Sequence, residues 1–178
     1  MPFSIPTGDG VIELRQAVPA DLETITAVML DAAQMPRSRG FTMWTWLGTP
    51  LGQQILGKRI ETFLLAELDG EPIGTMRLDW SDPQMWGARG DDGQAGYVHN
   101  LAVIGRLQGK GIGVALLDWA TAQIRARKRT LQRLDCRMPN PPLSAFYERL
   151  GFRKCGLKEL PDFTVQLFER TIQTHGQT

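Results

Sequence analysis

Residues 101–113 read Leu101-Ala102-Val103-Ile104-Gly105-Arg106-Leu107-Gln108-Gly109-Lys110-Gly111-Ile112-Gly113. An apolar strand-forming run passes through a tight loop into a helix. Gly109, Gly111 and Gly113 alternate, which removes Cβ atoms where a ligand could approach the backbone. The helix that follows offers unpaired N–H groups and the positive end of its dipole, so the segment suits a phosphate or pyrophosphate. A dinucleotide fold requires G-x-G-x-x-G after the first strand, with an acidic residue about 20 positions on. Here the spacing differs and the glycines sit in mid-chain. A P-loop requires Ser or Thr after its lysine, whereas Lys110 precedes Gly111. A plain strand-to-helix turn is the remaining alternative, and it needs one or two glycines rather than three in alternation.

The strand feeding the loop spans Tyr97–Val103, and alternation puts Tyr97, His99 and Leu101 on one face. The helix leaving it spans Gly111–Arg129, with Ile112, Ala115, Leu116, Trp119, Ala120 and Ile124 on one face. Arg125, Arg127, Lys128 and Arg129 suit the negative end of its dipole. Towards the N-terminus, Ile73–Trp80 and Thr62–Leu68 are strands. Asp69-Gly70 between them signals a hairpin, because both residues tolerate positive φ. A strand over Val11–Val18 precedes a helix that starts at Pro19 and runs to about Gln34, with Leu22, Ile25, Val28 and Met29 at helical spacing. A second helix falls around Leu51–Ile60, weakened by Gly52 and Gly57. Ser81–Ala95 reads as an exposed loop. Towards the C-terminus the spacing predicts a strand over Leu131–Met138, a helix over Leu143–Leu150, extended structure between Phe152 and Lys158, and a strand over Phe163–Arg170. The predicted class is a mixed α/β domain around one sheet with helices on both faces. Residues 1–10 read as a flexible lead-in, 11–171 as the domain and 172–178 as a polar tail.

At 178 residues the chain has the length of one domain. Twenty basic against nineteen acidic residues leave a net charge of +1, which argues against a nucleic-acid-binding face and gives no support to a membrane anchor. No apolar run approaches the ~18 residues needed to span a bilayer. The N-terminus has no secretory pattern. Cys136 and Cys155 supply neither a disulfide framework nor a four-cysteine zinc site. With only His99 and His175 beside them, no metal is expected. A cytoplasmic protein with reduced thiols is the expectation.

Gln108-Gly109-Lys110-Gly111-Ile112-Gly113 resembles the Q/R-x-x-G-x-G/A signature of the GNAT superfamily of acyl-CoA-dependent N-acyltransferases. Asn140-Pro141-Pro142-Leu143-Ser144-Ala145-Phe146-Tyr147-Glu148-Arg149-Leu150-Gly151-Phe152 is similar to the family's downstream N-x-x-[A/L]-x-x-[F/Y]-Y-E-x-L-G-F segment. The two motifs stand in the family's order and separation, and the element order is similar from about Val11 to Arg170.

The resemblance implies a GNAT-like central sheet, mostly antiparallel and twisted, with helices on both faces and a splayed parallel strand pair. It implies acetyl-CoA as cosubstrate, no metal, and acetyl transfer directly to the amine of a small molecule or peptide. On the family pattern the cofactor is held by Gln108, Gly109, Lys110, Gly111, Ile112, Gly113 and Val114. Its pantetheine runs along the main chain of Leu101, Ala102 and Val103, with Asn140 and Tyr147 beyond. Asn140 is equally a good helix N-cap. Tyr147 matches the general acid of the family, and a phenol of pKa ~10 can share a proton with a thiol. Without the motif it reads as a core tyrosine.

Many family members carry a glutamate base where this chain has Tyr97. His99 could serve instead. It could also be a structural histidine bonded to nearby backbone, or the base could act through a water chain. The acceptor side in such folds is shaped by the first helices and later loops. Those segments hold Phe41, Trp44, Trp46, Trp80 and Trp86, with Asp79 or Asp82 suited to a cationic amine. Trp44, Trp46, Trp80 and Tyr97 are the candidate acceptor contacts. The family commonly forms dimers. A non-catalytic acyl-CoA-binding module is the rival reading.

Overall fold

The computed structural model describes residues 3–7, 10–34 and 44–173. Phe41 and His175 lie outside them. The strands are β1 (Phe3–Thr7), β2 (Gly10–Gln16), β3 (Phe63–Leu68), β4 (Glu71–Asp79), β5 (Ala95–Val103), β6 (Leu131–Arg137), β7 (Arg153–Glu159) and β8 (Thr164–Thr171). The helices are α1 (Leu22–Ala32), α2 (Pro50–Gly57), α3 (Pro83–Trp86), α4 (Ile112–Ala126) and α5 (Pro141–Arg149). The strands form a mostly antiparallel eight-stranded sheet, in which β5 and β6 pair in parallel.

The described chain divides into two compact units, 1–77 with 100–118, and 78–99 with 119–178. In the first, β1-β2-β3-β4 run antiparallel in chain order. Phe63 and Leu65 of β3 join Ile25, Met29, Leu47 and Leu56 in its core. Asp69 and Gly70 turn the β3–β4 hairpin with φ of 51° and 79°, the primed geometry that matches strand twist. In the second unit the order is β5-β6-β8-β7. Trp86, Ala95, Tyr97, Val165 and Leu167 pack together there.

Two segments differ from the sequence expectation. Phe3–Thr7 is a strand rather than a loose lead-in, paired from Phe3↔Leu14 to Thr7↔Gly10. Its Pro and Gly neighbours obscure the pattern, and Pro is tolerated on an edge strand. Ser81–Ala95 is not a plain loop. Asp82 accepts a hydrogen bond from the Met85 N–H and caps α3 with Pro83 at its first position, an ordinary helix start. A 3₁₀ turn over Gly87–Asp91 follows, and Trp86 is buried.

The parallel register of β5 and β6 runs from Ala95↔Leu131 to Val98↔Leu134. His99 and Asp135 come next on their strands. Asn100 then adopts φ 53° in mid-strand, a left-handed conformation that Asn tolerates better than most residues.

Buried charge organises the second unit. Glu169 accepts from Arg133 at 2.8 Å, Arg89 at 2.7 Å and Arg153 at 2.6 Å. Arg133 also reaches Asp92 at 2.9 Å and the Tyr97 hydroxyl at 3.0 Å. Burial acts to raise the Glu169 carboxyl, but Arg153, Arg133 and Arg89 hold it down at about 2.

Candidate active site

The glycine loop and the head of α4 lie in the first unit. Gly109 and Gly111 have φ of 79° and 85°. A Cβ built on either would meet nothing within 4 Å, so open space lies above both. The first intrahelical bond runs from Ala115 N–H to Gly111 C=O. The N–H groups of Ile112, Gly113 and Val114 precede it and suit an anion at a helix start.

The loop is braced from behind. The Gln108 side-chain amide donates to Val103 C=O at 2.9 Å and to Ala32 C=O at 3.2 Å. Asp31, at the end of α1, accepts from Gly105 N–H at 2.6 Å. Gln108 is therefore a structural brace through its side chain, and Asp31 is a loop anchor that the sequence reading missed. The Ile112 side chain is buried, which leaves its backbone N–H as the group able to meet a ligand. Lys110 is exposed beside the open glycines. Of the strand residues, Ala102 and Val103 are buried and Leu101 is half-buried.

The proton-handling candidates lie in the second unit. Tyr147 is buried and its ring packs on Phe146, Phe152 and Phe168 at 5.4, 5.8 and 5.4 Å. Burial pushes its phenol above the ordinary tyrosine value, and Cys136 and Asp135 add to the shift, so it holds its proton at neutral pH. Burial likewise pushes the Cys136 thiol up to about 12, which leaves it too little thiolate to act as a nucleophile. Asn140 caps α5 by accepting from Leu143 N–H at 3.3 Å.

His99 is surrounded by carboxylates. Its Nδ1 lies 3.4 Å from Asp135 Oδ1, and its Nε2 lies 3.5 Å from Asp82 Oδ2 and 3.8 Å from Asp79 Oδ2. Burial raises the Asp82 carboxyl above its ordinary value, partly countered by His99 and by the Met85 N–H. The sequence named Asp79 and Asp82 as acids near an acceptor but did not bring them to His99. It did not name Asp135 at all. The only available signal was the parallel strand pair, since register neighbours there put their side chains on one face.

The four aromatic candidates have different surroundings. Tyr97 is buried, donates its hydroxyl to Arg89 C=O at 2.7 Å and packs on Trp86, which makes it a core group rather than an acceptor contact. The Trp80 ring carries Arg127 at 4.2 Å and Arg129 at 5.2 Å, so it serves the end of α4. In the first unit, Trp44 packs against the core and Trp46 is 46% exposed. Among the described residues no His, Cys, Asp or Glu group is arranged to hold a metal ion, and no helix is long and apolar enough to cross a membrane.

A mostly antiparallel sheet with one parallel pair, an open glycine loop at a helix head, and a buried tyrosine on the helix after β6 are the features expected of a GNAT-type acyltransferase. A model of the Acetyltransferase (GNAT) family matches residues 29–152, and the chain belongs to that family as an N-acetyltransferase. It is 32% identical over 147 residues to the uncharacterized N-acetyltransferase YesJ of Bacillus subtilis (strain 168), covering 79% of this chain and 81% of that one. It is also 32% identical over 123 residues to the mycothiol acetyltransferase of Acidothermus cellulolyticus, covering 65% of this chain but 35% of that protein. Among solved structures, a GNAT-family acetyltransferase of Listeria monocytogenes 4b F2365 is similar with a TM-score of 0.73 at 24% identity, covering 95% of this chain and 99% of that one. The PaiA N-acetyltransferase of Thermoplasma acidophilum, in complex with coenzyme A, gives a TM-score of 0.68 at 19% identity, covering 90% and 98%.

Proposed function

We propose that the chain moves an acetyl group from acetyl-CoA directly to the amine of a small molecule or peptide. The observation that carries this reading is the pair of left-handed glycines, 109 and 111, open to solvent at the head of α4. The backbone N–H groups of Gly111 to Val114 would hold the diphosphate, with Lys110 adding charge, and the main chain of Leu101 to Val103 and the Asn140 amide would hold the pantetheine. Solved coenzyme A complexes in the same fold, the PaiA structure among them, support the choice of cosubstrate.

When bound, acetyl-CoA supplies the thioester. The residues of the chain do the rest. His99 accepts the proton of the attacking amine, and Tyr147 donates a hydrogen bond and then its proton to the departing sulfur. Trp44 and Trp46 are offered to the acceptor. Cys136 and Cys155 are free thiols, in keeping with a cytoplasmic setting and with transfer that makes no acyl-enzyme.

Thiol release from acetyl-CoA, measured over a panel of primary amines, tests the reading. Turnover with at least one amine is expected. Coenzyme A binding without turnover for every amine would instead identify a non-catalytic acyl-CoA-binding module. Gly111→Ala forces a Cβ into a left-handed conformation at a cost of about 1 kcal/mol. It is expected to raise KM for acetyl-CoA more than it lowers kcat, and an unchanged KM would remove the loop from cofactor binding. His99→Gln is expected to lower kcat with KM for acetyl-CoA little changed, and a kcat equal to wild type would remove His99 as the base.

A further inference from the structure

Arg170 stands outside both family motifs, yet it grips the end of the helix that carries Tyr147. It lies on β8 two residues after Phe168, so the two side chains share a face of the sheet. Phe168 packs directly on the Tyr147 ring at 5.4 Å. The Arg170 guanidinium forks to three elements. Its Nε donates to Gln132 Oε1 of β6 at 2.7 Å, its Nη2 to Thr121 Oγ1 of α4 at 2.9 Å, and its Nη1 to Leu150 C=O at the end of α5 at 3.1 Å. Thr121 in turn donates to Gln132 Oε1 at 3.0 Å, so the three side chains close a triangle of hydrogen bonds. Arg170 Cζ also lies 4.7 Å from the centre of the Phe152 ring, and Phe152 meets Tyr147 edge-on at 5.8 Å.

We infer that Arg170 is a positioning residue for Tyr147, fixing where α5 and the Phe152 ring hold the phenol. This rests on the reading of Tyr147 as general acid. The helix α5 is nine residues long, too short to keep its place through its own backbone bonds. Asn140 fixes its head by accepting from Leu143 N–H. At its foot, Gly151 with φ 82° lets Phe152 N–H return to Tyr147 C=O at 3.1 Å, a glycine exit that leaves the terminal carbonyls in need of donors. Arg170 gives the Leu150 carbonyl its donor and puts a positive charge at the negative end of the helix dipole. The aromatic packing around Tyr147 is non-directional, whereas a hydrogen bond to a departing sulfur needs its donor held within about 0.5 Å. The fork supplies directional bonds to β6, α4 and α5 together, and so sets the helix, and the phenol on it, against the sheet.

A double-mutant cycle on the full chain tests the inference. Arg170→Met keeps a long apolar stem against Phe152 and removes the fork. It is expected to lower kcat about fivefold, as for residues coupled in one network, with KM for acetyl-CoA changed by less than about twofold. In the Tyr147→Phe background the same change is expected to cost less than about twofold in kcat, because the hydroxyl it positions is gone. A side chain that served stability alone would cost the same in both backgrounds. Arg170→Lys keeps the charge without the fork and is expected to fall between wild type and Arg170→Met. It carries the cycle if Arg170→Met does not fold. Equal losses in the two backgrounds, or a wild-type kcat in the Arg170 variants, overturn the inference and leave Tyr147 as the acid. If Tyr147→Phe itself costs no activity, the acid reading falls and the inference falls with it.

Discussion

Replacing Tyr147 by phenylalanine is expected to lower kcat by about 100-fold, the low end of what a positioned general acid contributes. Three aromatic rings hold Tyr147 in place, and phenylalanine keeps those contacts, so the variant is expected to fold and melt like the wild type. KM for acetyl-CoA is expected to change by less than about threefold, because the hydroxyl acts as the thiolate departs rather than in ground-state binding. The phenol of the wild type is held protonated by burial, with Cys136 and Asp135 adding to the effect. A phenol in that condition is a weaker acid than a thiol, so its contribution is to hydrogen-bond the developing thiolate early and to release the proton late. Steady-state thiol release with saturating acetyl-CoA measures the effect. A kcat equal to wild type would return Tyr147 to the role of a core residue.

The largest stability effect is expected at Glu169. Glu169→Gln removes the charge that Arg133, itself 2% exposed, pairs with at 2.8 Å. Losing one member of a buried pair costs 3–5 kcal/mol, and about 3 is expected here because Asp92 and the Tyr97 hydroxyl still reach Arg133. The pH dependence follows from the depressed carboxyl. With a folded value of about 2 against an ordinary 4.5, ionised Glu169 contributes its full stability above about pH 4.5. That contribution is lost as the pH falls through 2. Denaturant melts of wild type and variant should therefore differ most at neutral pH and converge in acid. Equal stability at pH 7 would mean that the three arginines are satisfied without it.

Local signals in the sequence were enough for much of the fold. Asp69-Gly70 specifies its hairpin because the two φ angles that turn requires are those its residues tolerate. The glycine loop was legible because alternating glycines before an amphipathic helix leave few other uses for that geometry. The helix at Pro83 was equally local, with Asp82 as its cap, but it was overlooked in a stretch rich in Gly and Asp. The strand at Phe3–Thr7 is different in kind: Phe3, Ile5 and Thr7 favour a strand, but Pro6 within it and the prolines and glycines around it mask the signal, and pairing with β2 establishes it.

What belongs to the chain alone, then, is the order of its elements, the glycine loop and the tyrosine motif through which it resembles the GNAT family, since each rests on residues close together in sequence. Folding decides the company His99 keeps. Its three carboxylates come from β4, the start of α3 and β6, and Asp135 meets it because the parallel register ends one residue before each of them. The same holds for Glu169, whose arginines arrive from three separate segments. Contacts made at long sequence separation depend on register and on burial of charge, and neither leaves a periodic trace along the chain.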